Sequence, residues 1–124
     1  MAYHNDFGNE AELLARNYLV QKGYAILDCN WHSGHKEIDI IARDKDLLVI
    51  VEVKARKQSS LLRPEEAVDE RKMLNLVRAT DAYVRYRQLN IGTRFDIITV
   101  VPNLNNGYDI NHIIDAFRPS VNMR

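Results

Sequence analysis

Glu52 and Lys54 stand two apart in LLVIVEVKAR, 47–56, directly after five unbroken apolar residues. Charged side chains are rarely buried unless they are paired. In an extended strand, residues two apart project from one side. A carboxylate and an ammonium therefore share a face here. Glu37 and Asp39 have the same spacing in EIDIIAR, 37–43. DKD at 44–46 reads as a tight turn between the two runs. Antiparallel pairing centred near Lys45 puts Asp39 opposite Glu52 or one position off. Two carboxylates and a lysine then converge on one part of a sheet. Adjacent carboxylates repel, and one takes up a proton unless a cation lies between them. Mg²⁺ or Mn²⁺ answers that repulsion with oxygen ligands, and Mg²⁺ completes its shell with water and phosphate oxygens. Such an ion acidifies water and neutralises charge on a phosphodiester. Lys54 beside it can orient the attacking water or stabilise the pentavalent state. The same three residues also suit a plain ion-pair network in a structural or interaction protein. A second acid-x-Lys, Glu70 and Lys72, falls on an expected helix, where positions two apart diverge by roughly 200°. It cannot repeat the strand geometry.

The elements that must hold these residues are legible from periodicity. Residues 6–22 predict a helix capped by Asn5 or Asp6. Ala11, Leu14, Ala15, Tyr18 and Leu19 lie on one face, and Gly23 is the stop. Residues 24–30 predict a strand, SGH at 33–35 a turn, and 37–43 and 47–55 a hairpin. The 47–55 strand is apolar on both faces over its first half, which places it centrally in the sheet. Residues 58–64 read as a loop ending at Pro64. A long helical pattern follows, with acids in its first turn and a break near Asp69. Strands follow at 94–101 and 108–114. The order helix, three strands, helix, two strands predicts a single α/β domain over 1–124, a mixed sheet flanked by helices.

The chain has 124 residues, 46% hydrophobic and 27% charged, with zero net charge. That composition suits a folded domain rather than a disordered one. Residues 54–87 hold nine Lys or Arg against five acids, a local excess of four. This span suits a nucleic-acid partner, or equally a solvated helix face. The single cysteine, Cys29, excludes an internal disulfide and fits a reducing cytoplasm. The polar start MAYHNDFGNE is unlike a signal peptide, and no apolar run spans a bilayer, so no membrane partner is expected.

An ordered set of motifs runs along nearly the whole chain: GNEAELLARNYL at 8–19, GYAILDCNW at 23–31, KEIDIIA at 36–42, LVIVEVKAR at 48–56, PEEAVDERK at 64–72, RFDIITV at 94–100 and HIIDAF at 112–117. On these the chain resembles the YraN-like family of bacterial proteins, related to the restriction-endonuclease-like superfamily of PD-(D/E)xK nucleases. The resemblance implies a restriction-endonuclease-like core and a metal-dependent nuclease acting on DNA, branched or damaged DNA included, that leaves a free 3′ hydroxyl. It places the catalytic signature on Asp39, Glu52 and Lys54. By likeness to archaeal Holliday-junction resolvases, it adds Glu12 to a metal set of Glu12, Asp39 and Glu52. Departures from the pattern are Lys36 where the family has glycine before its EID, Ala11 for a glycine in the first motif, and Ala55 where Thr or Ser often follows the lysine. None removes an expected ligand. The rival reading is a non-cleaving nucleic-acid-binding module on the same fold.

Other residues carry less. Glu37 either supports Asp39 or pairs with Lys54 or Arg56. Lys72 and Arg56 are the candidates for phosphate contact, and Lys72 is otherwise a solvated helix charge. Asp96 beside Arg94 reads as a structural ion pair, and Trp31 and Tyr24 as core or edge aromatics. Cys29, His32 and His35 form C-x-x-H-x-x-H, a zinc-like set whose fourth ligand would be the remote His4 or His112. A homodimer is expected only by analogy with two-fold enzymes that serve both strands of a duplex.

Overall fold

The structure, a computed structural model, describes residues 6–57 and 69–119. Its elements are α1 (Asp6–Gln21), β1 (Ala25–Ser33), β2 (Lys36–Asp44), β3 (Leu47–Ala55), α2 (Glu70–Arg87), β4 (Gly92–Pro102) and β5 (Tyr108–Phe117). The five strands form one sheet in the order β1-β2-β3-β4-β5. β3 and β4 run parallel, and the other neighbours are antiparallel. The mixed α/β architecture and its element order match the expectation, and β3 is indeed central. The expected loop at 58–64 and the helical stretch before Asp69 lie outside the described residues. Among the described residues, no helix is long and apolar enough to cross a membrane.

Two apolar layers explain the arrangement. On one face, Ala11, Ala15 and Leu19 of α1 pack on Ile40, Ala42, Val49, Val51, Ile98 and Val100. Alanines at four-residue spacing keep that helix face flat and bring it close to the strands. On the other face, Leu76, Val77, Ala79 and Tyr83 of α2 cover Ile38, Ile41, Leu48, Ile50, Phe95 and Ile97. Each fully buried large aliphatic side chain contributes about 1.5–3 kcal/mol, so β3, buried on both sides, is a firmly held central beam. α1 stops where Gly23 adopts φ 95°, with Tyr24 N donating to Leu19 O at 3.0 Å. α2 is capped by Asp69, whose side chain accepts from Lys72 N.

The outer strands bend. In β1, Asn30 has φ 51°, and in β5, Asp115 has φ 56°. Across from Asn30 the alternation of β2 also fails. Ile38 faces α2, whereas Ile40, two residues on, faces α1. Asp39 sits at the point where the strand changes face. β5 bulges opposite Asp96, where the pairing jumps from Phe95↔Phe117 to Ile97↔Ile113.

Candidate functional site

β2 and β3 pair from Asp44↔Leu47 through Ile40↔Val51, about a two-residue turn at Lys45 and Asp46. One step further along that register would set Asp39 opposite Glu52, the placement the hairpin arithmetic gives. The backbone ladder ends one step earlier, however. Beyond Ile40 the Asp39 side chain takes over as acceptor, and Val53 N donates to its Oδ2 at 2.9 Å. Asp39 thus sits where two strands separate, with its carboxylate drawn between them.

Glu52 is 4% exposed and follows Leu48 and Ile50 on the α2 face of β3. Lys54 stands on the same face, its Nζ 3.5 Å from Glu52 Oε1. Lys72, from the first turn of α2, reaches the same oxygen at 3.0 Å. Its expected roles were phosphate contact or a solvated helix charge. Here it pairs with Glu52 while its own side chain stays 44% exposed. Glu70 and Lys72 do diverge as the helix geometry requires, yet Lys72 comes back to the sheet through tertiary packing.

Glu12 approaches from α1 and shares with Asp39, Asn30, Arg16 and Cys29 the wall of a depression of about 170 Å³. Asn30, its amide oriented by its partners, donates Nδ2 to Glu12 Oε1 at 2.7 Å and to Glu37 Oε1 at 3.1 Å. Glu37 lies opposite His32, with 3.9 Å between Oε1 and Nε2. Its partners are Asn30 and His32, not the expected Lys54 or Arg56. Arg56 is half-buried just past β3, where its backbone N donates to Val100 O at 3.0 Å. The sequence reading missed Asn30. Its one signal is that asparagine tolerates a left-handed backbone better than most residues.

The electrostatics follow from crowding. Burial and then Glu52, with Glu12 and Glu37 adding, push Asp39 up from its ordinary 3.8 to about 7, against the Val53 hydrogen bond. Burial raises Glu12 as well, and Glu37 and Glu52 add to it, while Arg16 opposes. Four carboxylates therefore sense one another across the sheet end. As placed, no three His, Cys, Asp or Glu side chains among the described residues are close enough to hold a metal ion. By chemistry the donor set nonetheless fits a hard divalent cation: all donors are carboxylate oxygens, and the raised Asp39 and Glu12 favour added positive charge. The zinc-like set is not gathered. Cys29 Sγ lies 3.8 Å from Arg16 Nη1, and His112 is bound to Asp96. His4 lies outside the described residues.

A model described as "Uncharacterised protein family UPF0102" matches residues 11–100. The chain belongs to the UPF0102 family. A UPF0102 protein of Parabacteroides distasonis is 50% identical over 117 residues, covering 94% of this chain and 96% of its own length. One of Phocaeicola vulgatus is 44% identical, covering 98% and 99%. One of Clostridium beijerinckii is 43% identical, covering 93% and 95%. The UPF0102 match spans Glu12, Asn30, Glu37, Asp39, Glu52, Lys54 and Lys72 at this end of the sheet.

Proposed function

We propose that the protein is a metal-dependent nuclease that hydrolyses DNA phosphodiesters. The observation that carries this reading is the crowding of Glu12, Glu37 and Glu52 about a half-buried Asp39 whose pKa is pushed up to about 7. Carboxylates assembled at such a cost in repulsion mark a place built to receive positive charge. Glu12, Asp39 and Glu52 would hold Mg²⁺ or Mn²⁺. When bound, that ion supplies charge neutralisation on the phosphate and an acidified water. Lys54, fixed on the rigid β3, directs its ammonium donors at the oxygen charge that builds during attack. Water oxygen bonds to phosphorus and gives up a proton, the bond from phosphorus to the 3′ oxygen breaks, and the 3′ oxygen takes a proton from solvent and leaves as a hydroxyl. The basic excess over 54–87 supports a polyanionic partner.

One observation favours the rival reading of a nuclease fold that grips nucleic acid without cutting it. Glu52 already carries two ammonium partners, at 3.0 and 3.5 Å. Assays on branched, single-stranded and duplex DNA with Mg²⁺ or Mn²⁺ decide between them, run beside Asp39→Asn. Cleavage by the native chain and not by the variant supports the nuclease. Equal cleavage by both would expose a contaminant. Salt-sensitive binding without cleavage under either metal would leave the binding module.

A further inference from the structure

Lys72 is held by more than its own side chain. Asp69 Oδ1 accepts its backbone N at 2.8 Å, which fixes the first turn of α2. From that turn the side chain crosses to β3, and its Nζ comes nearer to Glu52 Oε1 than Lys54 does, 3.0 against 3.5 Å. The lysine side chain is 44% exposed and the glutamate 5%. An exposed ion pair of this kind ordinarily contributes little. Here the buried partner is an acid beside other acids, and the ammonium also lies in the field of Asp39 and Glu37. The Lys72 charge therefore sits, beside that of Lys54, where the carboxylates demand one. An ammonium donating to Oε1 and a cation ligated by that oxygen compete for the same lone pairs.

We propose that Lys72 is a tethered counter-ion that occupies Glu52 in the metal-free protein and is displaced when a divalent cation binds there. This rests on the metal-site reading above. It divides the work between two lysines. Lys54 is fixed on the central strand, whereas Lys72 stands at the half-exposed rim on a separate element. The displaced amine remains at that rim, on the side from which a phosphate can approach. It acts through Glu52 and is a positioning residue.

The test titrates Mn²⁺ alone into the full chain, with free Mn²⁺ read by electron paramagnetic resonance. Lys72→Gln removes the competing charge and is expected to lower the Mn²⁺ Kd about tenfold, or about 1.4 kcal/mol. Lys72→Arg keeps a charge and is expected to hold the native Kd. Arg71→Gln removes the same charge from an exposed neighbour, and screening keeps its effect within about threefold. Circular dichroism checks that each variant is folded. If the native chain binds Mn²⁺ and Lys72→Gln binds it no more tightly, the counter-ion inference falls and the metal site stands. If Lys72→Arg or Arg71→Gln tightens binding as much as Lys72→Gln, competition at Glu52 is likewise overturned. If neither the native chain nor Lys72→Gln binds Mn²⁺, both readings fall together.

Discussion

Asp39 and Asp96 are both aspartates with sheltered carboxylates on one sheet, and they have opposite surroundings. Asp96 receives Arg94 Nε and Nη2 at 2.9 and 2.8 Å, His112 Nε2 at 2.7 Å, and Asp115 N at 3.0 Å. Those partners outweigh burial and hold its pKa below the usual range. Asp39 has one backbone donor and three acidic neighbours, and its pKa goes up. The Arg94 guanidinium also donates to Tyr24 OH, and Tyr18 OH meets His112 Nδ1. The Asp96 cluster thereby ties α1 and the start of β1 to β4 and β5. A charge with its partners built in serves the fold. A charge denied them is a cost that the fold carries for something else.

Substitutions should sharpen that contrast in descending order. Asp39→Asn is expected to lower Mg²⁺-dependent cleavage about a thousandfold, read as initial rates on a labelled substrate. Asp96→Ala is expected to cost about 3–5 kcal/mol in urea denaturation, because Arg94 and His112 lose a buried counter-charge. A cost under about 1 kcal/mol would break the comparison. In chelator, Asp39→Asn should instead gain about 1 kcal/mol at pH 8, since the amide oxygen still accepts from Val53 N while the repulsion is gone.

The pH dependence should separate the two carboxyls as well. Asp39's folded pKa of about 7 lies above its ordinary 3.8. The folded state keeps a proton that the unfolded chain has released. Its contribution to stability is full below 3.8 and is lost as pH rises through about 7. Asp96 is shifted down, so its contribution is present above its ordinary 3.8 and is lost as pH falls through the depressed value. Stability measured from pH 4 to 8 without metal should slope downward in the native chain and flatten in Asp39→Asn. The smallest effect is graded. Glu52→Gln should lower the Asp39 pKa most, Glu12→Gln less and Glu37→Gln least, following their order of influence. Carboxyl-carbon NMR titration of Asp39 reads this directly, and a different order would show the neighbours to be misassigned.

What was legible in the sequence was what local pattern controls. The bounds of β3, the DKD turn and the β2–β3 register as far as Ile40↔Val51 follow from apolar alternation and a short loop. The face reversal at Asp39 was not legible, because counting by twos assumes an unbroken pleat and Asn30 breaks it across the ladder. The pairing of Lys72 with Glu52 was not legible for a related reason. Helix geometry correctly separated it from Glu70, but only the packing of α2 on β2 and β3 shows which strand residue it meets. His112 was weighed as a remote zinc ligand. Its pairing with Asp96 depends on a bulge in β5 that no residue type announces.

Those two left-handed residues, Asn30 and Asp115, have a consequence at the molecule's margins. They lie on β1 and β5, the outer strands of the sheet among the described residues. A straight, flat border invites another chain to dock its backbone and start a fibre. Here both borders are crooked where such a visitor would need a regular row of partners, which guards the protein against self-stacking at high concentration.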